Sequence, residues 1–141
     1  IFTETFHELP AIAGGEALLA KWNEVRVVRA EIQKQIEAQR EAGKVGSSLQ
    51  AEIDIWAHGE RHALLASLGD ELRFVTITSR ATLHRAARPE DEKVLVTPSE
   101  HQKCERCWHY VEDVGHNPEH PTLCGRCVTN LFGAGETRRV A

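Results

Sequence analysis

The stretch that decides the fold of this chain is Cys104-Glu105-Arg106-Cys107, which is followed by Cys124-Gly125-Arg126-Cys127. Two residues separate the cysteines of each pair, and 16 residues separate the two pairs. A two-residue gap lets a tight turn direct two sulfur atoms at one ion, and two such turns complete a tetrahedron of thiolates. This spacing is typical of structural zinc sites. The predicted ligands of one zinc ion are Cys104, Cys107, Cys124 and Cys127.

The predicted site is structural, because four thiolates leave no coordination position for water or substrate. The surrounding residues 99–141 are rich in turns and too few to fold through a hydrophobic core alone. Zinc binding, worth on the order of 10–16 kcal/mol at neutral pH, can supply that folding energy. Two disulfides or four free thiols are the alternatives. We expect zinc, because the chain does not open with a secretory signal and a reducing compartment is the default.

Cations and aromatic rings flank the predicted metal site. Basic groups near a negatively charged zinc–thiolate centre can balance its charge, and the same groups can contact phosphates and stack on unpaired bases. Composition alone leaves both interpretations open, and Trp108 can also pack against the metal-binding turn. The candidate nucleic-acid contacts are Lys103, Arg106, Trp108, His109 and Arg126. The nearby histidines are expected at the surface, because the cysteines already complete the ligand set.

A long amphipathic helix is predicted upstream, after a loop over residues 1–15. From Glu16 onward, apolar residues recur at spacings of three, four or seven, and Gly43 is a helix stop. A single apolar stripe cannot be buried alone, so we expect a partner helix in a bundle. Residues 1–43 are therefore predicted to be the end of a helical domain. The stripe consists of Leu18, Trp22, Val25, Ile32 and Ile36.

Residues 44–98 are predicted to be a small β-α-β-β module. Alternating apolar and polar residues over 49–56 predict a first strand, and 60–68 is typical of a short helix. The apolar run over 72–78 predicts a second strand, and 94–96 predicts a third. The intervening residues are predicted to be a loop. With a C-terminal zinc ribbon over 99–141, the predicted fold class is α+β.

Composition excludes several classes of protein. The 17 Lys+Arg against 21 Asp+Glu give a net charge of −4, which excludes a polybasic nucleic-acid binder acting through bulk charge. A membrane is not an expected partner, because no apolar run approaches the roughly 20 residues of a transmembrane helix. No catalytic residue is predicted, since no glycine-rich phosphate loop or organised nucleophile is present. An oligomer is not expected either.

Several stretches of this sequence resemble the C-terminal region of bacterial isoleucyl-tRNA synthetases. The cysteine stretches KCERCWHY (103–110) and LCGRCVTNL (123–131) resemble the zinc peptide of that family and are the most specific part. KVGSSLQA (44–51) is similar to the segment after the anticodon-binding helices, although Gln50 stands where Glu is expected. Residues 71–79 and the helix over 22–40 fit the same region, so the resemblance covers most of the chain.

The resemblance implies a parent enzyme that joins isoleucine to its tRNA with ATP in the cytoplasm. ATP would bind only in a catalytic domain whose motifs these residues lack, so we expect this segment alone to be inactive. The implied partners are isoleucine-specific tRNA, contacted by the five candidates near the anticodon, and the remainder of the synthetase chain. The chain contains no Met and begins with Ile1, which also suggests a piece of a longer protein. A mature processed domain is the alternative to such a piece.

Two other functions remain as alternatives at this point. The cysteine spacing also occurs in the nucleic-acid-binding zinc ribbon of DNA-repair glycosylases. Such an enzyme would need an N-terminal catalytic residue and a helix-two-turns-helix region ahead of the ribbon, and the predicted helix and small sheet fit that requirement poorly. A zinc ribbon that binds only proteins is the other alternative. Preference for one tRNA family over DNA and over bulk tRNA would separate these functions.

Overall fold

A computed structural model describes residues 3 and 5–140 of the chain. Residues 5–14 contain no helix or strand, as predicted for this loop, while residues 1, 2, 4 and 141 lie outside the described part. The helices are α1 (Gly15–Glu41), α2 (Gly59–Ala66), α3 (Leu72–Thr76) and α4 (Gly125–Phe132). The strands are β1 (Ala51–Ala57), β2 (Arg80–Arg85), β3 (Lys93–Pro98), β4 (Gln102–Lys103) and β5 (Tyr110–Val111).

The strand β1 is the centre of a three-stranded sheet with the order β2-β1-β3. The strand β2 runs parallel to β1, and β3 runs antiparallel to it. The parallel connection requires a crossover, which α2 and α3 provide. Because successive strand residues point to opposite faces, the odd-numbered residues of β1 are buried and the even-numbered ones face the other side of the sheet.

The helix α1 packs on the buried face of this sheet. Its buried residues are Val25, Val28, Ile32 and Ile36, which share one hydrophobic cluster with Ile53 and other residues of the sheet. Within the described residues, Leu65 of α2 and Leu72 of α3 belong to the same cluster, so the sheet and two short helices bury this stripe together. A partner helix from a bundle stays a prediction. Periodicity shows that a helix face is buried, but it does not show what buries it.

The two ends of α1 differ. At its N-terminal end, Leu18 and Leu19 remain 51% and 62% exposed, although Leu18 was predicted to belong to the buried stripe. At the other end, α1 stops at Glu41, and Gly43 follows with a φ of 70°. This left-handed conformation suits glycine and commonly ends a helix, so Gly43 acts as the predicted stop.

The predicted strand over 72–78 is wrong. These residues form α3, followed by Ile77 with a φ of 58°. Leu72 and Thr76 lie one helical turn apart and are both buried, and the Thr76 hydroxyl donates to the Leu72 carbonyl oxygen at 3.0 Å. A short apolar run fits a strand or a buried helical turn equally well, which explains the error.

The second strand is instead β2, within residues that were predicted to be a loop. Ala81 and Leu83 pack against the hydrophobic cluster, while Thr82 and His84 point to the opposite face. This alternation was present in the sequence, but arginines at both ends of the segment obscured it. The order of elements is still β-α-β-β, with α3 as an additional helix.

The C-terminal residues form a separate, smaller cluster around the cysteines. It contains Cys104, Val114, Cys124 and Cys127, beside a two-stranded sheet of β4 and β5. The predicted α+β class with a zinc ribbon is confirmed. The division into residues 1–43, 44–98 and 99–141 stays a prediction. Within the described part of the chain, each helix is too short or too polar to cross a bilayer.

Candidate metal centre

The first cysteine pair lies on the turn between β4 and β5. The Cys104 N–H donates to the His109 carbonyl oxygen at 2.9 Å, and the Trp108 N–H donates to the Cys104 carbonyl oxygen at 2.9 Å. These bonds close the turn and direct Cys104 and Cys107 to one side. The second pair begins α4, where Cys124 precedes the first helical residue and Cys127 lies in the first turn.

The four sulfur atoms fit the coordination sphere of one zinc ion. All four Sγ atoms lie within 4.8 Å of one another, and those of Cys107 and Cys124 are 3.7 Å apart. A sulfur tetrahedron with Zn–S distances of about 2.3 Å has edges of about 3.8 Å. No disulfide joins these four cysteines, so the disulfide alternative is not adopted. The cofactor of this segment is one structural zinc ion, as predicted.

The electrostatics of the cluster favour a bound cation. Burial raises the pKa of the Cys107 thiol, but hydrogen bonding by His109 and Arg126 outweighs burial and lowers this pKa to about 5. Burial, together with the charge of Cys107, raises the pKa of Cys124. Closely spaced thiols thus resist full ionisation by themselves, whereas a divalent metal ion stabilises all four thiolates.

The comparisons with known proteins agree with this geometry. Residues 102–130 match the family described as "Zinc finger found in FPG and IleRS". The isoleucine–tRNA ligase of Bordetella petrii is 59% identical over 138 residues, which are 98% of this chain and 14% of the relative. The ligase of Janthinobacterium sp. is 57% identical over 141 residues, which are 100% of this chain and 15% of the relative. The predicted resemblance to isoleucyl-tRNA synthetases is confirmed.

This chain therefore spans only 14% of the length of the first of these isoleucine–tRNA ligases. The similarity covers the helix and the sheet as well as the zinc ribbon, whereas the zinc-finger family, which also includes FPG proteins, matches the ribbon alone. Similarity over the whole chain favours the synthetase interpretation over the glycosylase alternative.

In this synthetase-like segment, the five candidate tRNA contacts have different neighbours. Trp108 is 59% exposed, so it is not packed in a core, and the Lys103 Nζ lies 5.1 Å from the centroid of its ring. Arg106 instead approaches the metal site, with its Nη1 3.8 Å from the Cys127 Sγ. Charge balance is thus the role that the structure favours for Arg106, while Lys103 and Trp108 face outward.

His109 and Arg126 lie next to Phe74 of α3. The ring of His109 meets the Phe74 ring edge-on, with centroids 5.7 Å apart, and His109 is partly buried rather than at the surface as expected. The Arg126 Cζ lies 5.0 Å from the Phe74 centroid, and the Arg138 Cζ lies 3.7 Å from it. Sequence reasoning missed Phe74, because no spacing in the sequence relates it to the cysteines.

Proposed function

We propose that this chain is the C-terminal tRNA-binding segment of an isoleucine–tRNA ligase. The complete protein would attach isoleucine to its tRNA with ATP, in the cytoplasm. The similarity to ligases over nearly the whole chain supports this proposal. Isoleucine tRNA and the remainder of the synthetase chain are its partners, and ATP binds only outside this segment. Zinc on Cys104, Cys107, Cys124 and Cys127 supports the fold, and the segment alone is inactive.

The exposed ring of Trp108 is the observation that carries the tRNA-binding role. Its φ of 65° is a left-handed conformation that costs about 1 kcal/mol for a residue other than glycine. The Trp108 Nε1–H donates to the Glu105 carbonyl oxygen at 3.1 Å, which fixes the orientation of the ring. A fixed, exposed indole with Lys103 beside it is suited to stacking on an unpaired base and contacting its phosphate.

The charge of the chain limits how this surface can act. A net charge of −4 opposes diffuse attraction to RNA, so the contacts must be few and local. The Lys103 Nζ lies 5.1 Å from the centroid of the exposed ring. Loss of one phosphate contact to a single-stranded region should lower the salt dependence of binding by about 0.7 in slope.

The test is the affinity of the complete ligase for isoleucine tRNA after Trp108→Ala. Loss of one stacked ring costs about 1–3 kcal/mol, so the expected affinity is roughly 5- to 150-fold lower. The matched control is Phe132→Ala in α4 of the same ribbon. Phe132 is 62% exposed and stacks on His120 with centroids 4.0 Å apart, so it is an exposed ring outside the proposed surface.

Zinc content must be equal in both variants, so that unfolding of the ribbon is excluded. If Trp108→Ala keeps its zinc and binds isoleucine tRNA as tightly as the unmodified enzyme, the proposal is wrong. In that case the cations around the site serve only to balance the charge of the zinc–thiolate centre. An equal loss of affinity in both variants would also contradict a specific role of Trp108.

A further inference from the structure

Residues 133–140, here called the strap, follow α4 and connect the zinc ribbon to α3. The beginning of the strap is bound to α4 of the ribbon. The Gly135 N–H, at a residue with a φ of 81°, donates to the Thr129 carbonyl oxygen at 3.1 Å. The Glu136 N–H donates to Asn130 Oδ1 at 2.7 Å, and Asn130 Nδ2 donates to Glu136 Oε1 at 3.0 Å. These bonds hold the start of the strap against the ribbon.

The end of the strap lies against α3. Glu71, which directly precedes α3, accepts the Arg139 N–H at 2.6 Å with one carboxylate oxygen and the Val140 N–H at 2.5 Å with the other. Such bonds to an ionised carboxylate are about twice as strong as those between neutral groups. The Val140 side chain packs against the hydrophobic cluster of α1 and the sheet, and the Arg138 Cζ lies 3.7 Å from the centroid of the Phe74 ring. Polar and apolar contacts therefore anchor this end outside the ribbon.

Glu136 joins the two ends of the strap. Its Oε1 accepts hydrogen bonds from Arg126 of the ribbon and from Arg138 of the strap, each at 3.1 Å. Both arginines also lie against the Phe74 ring of α3. An isolated ion pair at the surface contributes little, but these three side chains are only 21–35% exposed and form one network. The contacts of the strap are therefore continuous from the ribbon to α3.

The direct packing between the ribbon and the sheet is incomplete. A cleft of about 350 Å³ is lined by residues of both regions, and their two hydrophobic clusters are separate. The Tyr110 N–H of the ribbon donates to Ser79 Oγ at 2.6 Å, and His109 meets Phe74 edge-on. Two units without a large shared apolar interface are expected to move relative to each other. The orientation of the ribbon therefore depends on contacts such as those of the strap.

We propose that the strap fixes the orientation of the zinc ribbon on α3, and that Glu71 is the positioning residue that anchors the strap. Trp108 lies in the ribbon, on the turn between β4 and β5, so its position relative to the sheet depends on this docking. A ribbon that is already held in place has less freedom to lose when Trp108 contacts tRNA, which favours binding. The effect on tRNA rests on the proposed function, whereas the docking by the strap does not.

The variant Glu71→Ala tests the docking in the zinc-loaded chain, with amide hydrogen exchange as the measurement. The Tyr110 N–H reports docking, because its bond to Ser79 joins the ribbon to the sheet region. The Cys104 N–H reports the fold of the ribbon, because it donates to the His109 carbonyl oxygen within the same turn. The amides of β1 report the fold of the sheet. We expect exchange about tenfold faster at Tyr110, with Cys104 and β1 unchanged.

The matched control is Asp70→Ala, which removes an exposed carboxylate from the same turn and should leave exchange at Tyr110 unchanged. Val140→Ser is a second variant, because it removes the apolar anchor of the strap and leaves Glu71 and α3 intact. It should also accelerate exchange at Tyr110. Unchanged exchange at Tyr110 in both Glu71→Ala and Val140→Ser would overturn the proposal. Exchange that rises equally at Cys104 or in β1 in both variants would mean unfolding and would also overturn it.

The complete ligase tests whether the strap acts through Trp108. Glu71→Ala should weaken the binding of isoleucine tRNA about fivefold, and it should have no further effect in a ligase that already carries Trp108→Ala. An equal loss in both backgrounds, or no loss in either, would overturn the positioning role of Glu71. If Trp108→Ala alone leaves tRNA affinity unchanged, the proposed function is wrong, whereas the exchange at Tyr110 still decides whether the strap docks the ribbon.

Discussion

The two hydrophobic clusters of this molecule are held together in different ways. The cluster between α1 and the sheet contains 13 buried residues, all of them aliphatic. The cluster of the zinc ribbon contains four buried residues, and three of them are cysteines. Burial of apolar surface stabilises by about 25 cal/mol per Å², so the first cluster can be held by the hydrophobic effect and the second cannot. The chain thus combines two sources of stability, and loss of one should leave the region that depends on the other folded.

Loss of zinc should have the largest effect, because it should unfold the zinc ribbon and leave the first cluster folded. We expect Cys124→Ser to release zinc and unfold roughly residues 100–133, because about 10–16 kcal/mol of apparent metal-binding energy holds this segment together. The helix α1 and the three-stranded sheet should keep their structure. Zinc analysis together with amide hydrogen exchange along the chain measures both effects.

Treatment of the unmodified protein with a chelator is the control for this prediction, and it should give the same exchange pattern. Protection of residues 100–133 in the absence of any metal would contradict the prediction. Elemental analysis that finds no stoichiometric metal in the reduced, folded protein would contradict the zinc site itself.

Truncation of a side chain in the first cluster should destabilise the sheet and leave zinc binding unchanged. Ile53 is 0% exposed, so Ile53→Ala is expected to destabilise the sheet by about 2–5 kcal/mol through lost burial and a cavity. Leu95→Ala on the neighbouring strand is the control, because Leu95 is 50% exposed and its loss should cost less than about 1 kcal/mol. Urea denaturation measures stability, and zinc content should stay unchanged. Release of zinc from folded Ile53→Ala would show that the two regions are coupled.

Glu52 connects the two regions, and its substitution should have the smallest effect on the free energy of unfolding. Its carboxylate accepts hydrogen bonds from the Ser99 hydroxyl and from Arg80 Nε, each at 2.7 Å. Burial raises the pKa of Glu52, but these two bonds outweigh burial and hold the pKa below its usual value of 4.5. We expect Glu52→Gln to lower the free energy of unfolding at pH 7 by about 1–2 kcal/mol.

The pH dependence of this difference has a definite sign. Because the pKa of Glu52 is lower in the folded state, its contribution is fully present above about pH 4.5 and is lost as the pH falls through the folded pKa. The difference in unfolding free energy between the unmodified protein and Glu52→Gln should therefore shrink in acid. Both proteins lose zinc in acid, and the comparison cancels that shared loss. A difference that stays constant between pH 7 and pH 3 would show that the ionised carboxylate is not stabilising.

Local patterns in the sequence were sufficient to predict several elements of the fold. The 3.6-residue period predicted α1, and alternation predicted β1, because both signals arise from residues a few positions apart. The cysteine spacing predicted the metal cluster for the same reason, since each turn directs its own pair of sulfur atoms. The prediction of a strand from the apolar run at 72–78 failed, because so short a run fits a strand or a helical turn equally well. In β2, the alternation was present, but arginines at both ends of the segment obscured it.

By itself, the sequence determined that α1 has one buried face, which includes Val25, Ile32 and Ile36, and which four thiolates meet a metal ion. Only the tertiary structure decided that a sheet covers α1 and that Phe74 lies against His109 and Arg126. It also decided which residues each of the five candidate contacts lies against. The physical reason is the range of the interactions involved. Periodicity and ligand spacing act within one or two turns of chain, whereas the docking of the ribbon on the sheet sums many weak contacts between distant residues, and no local pattern records that sum.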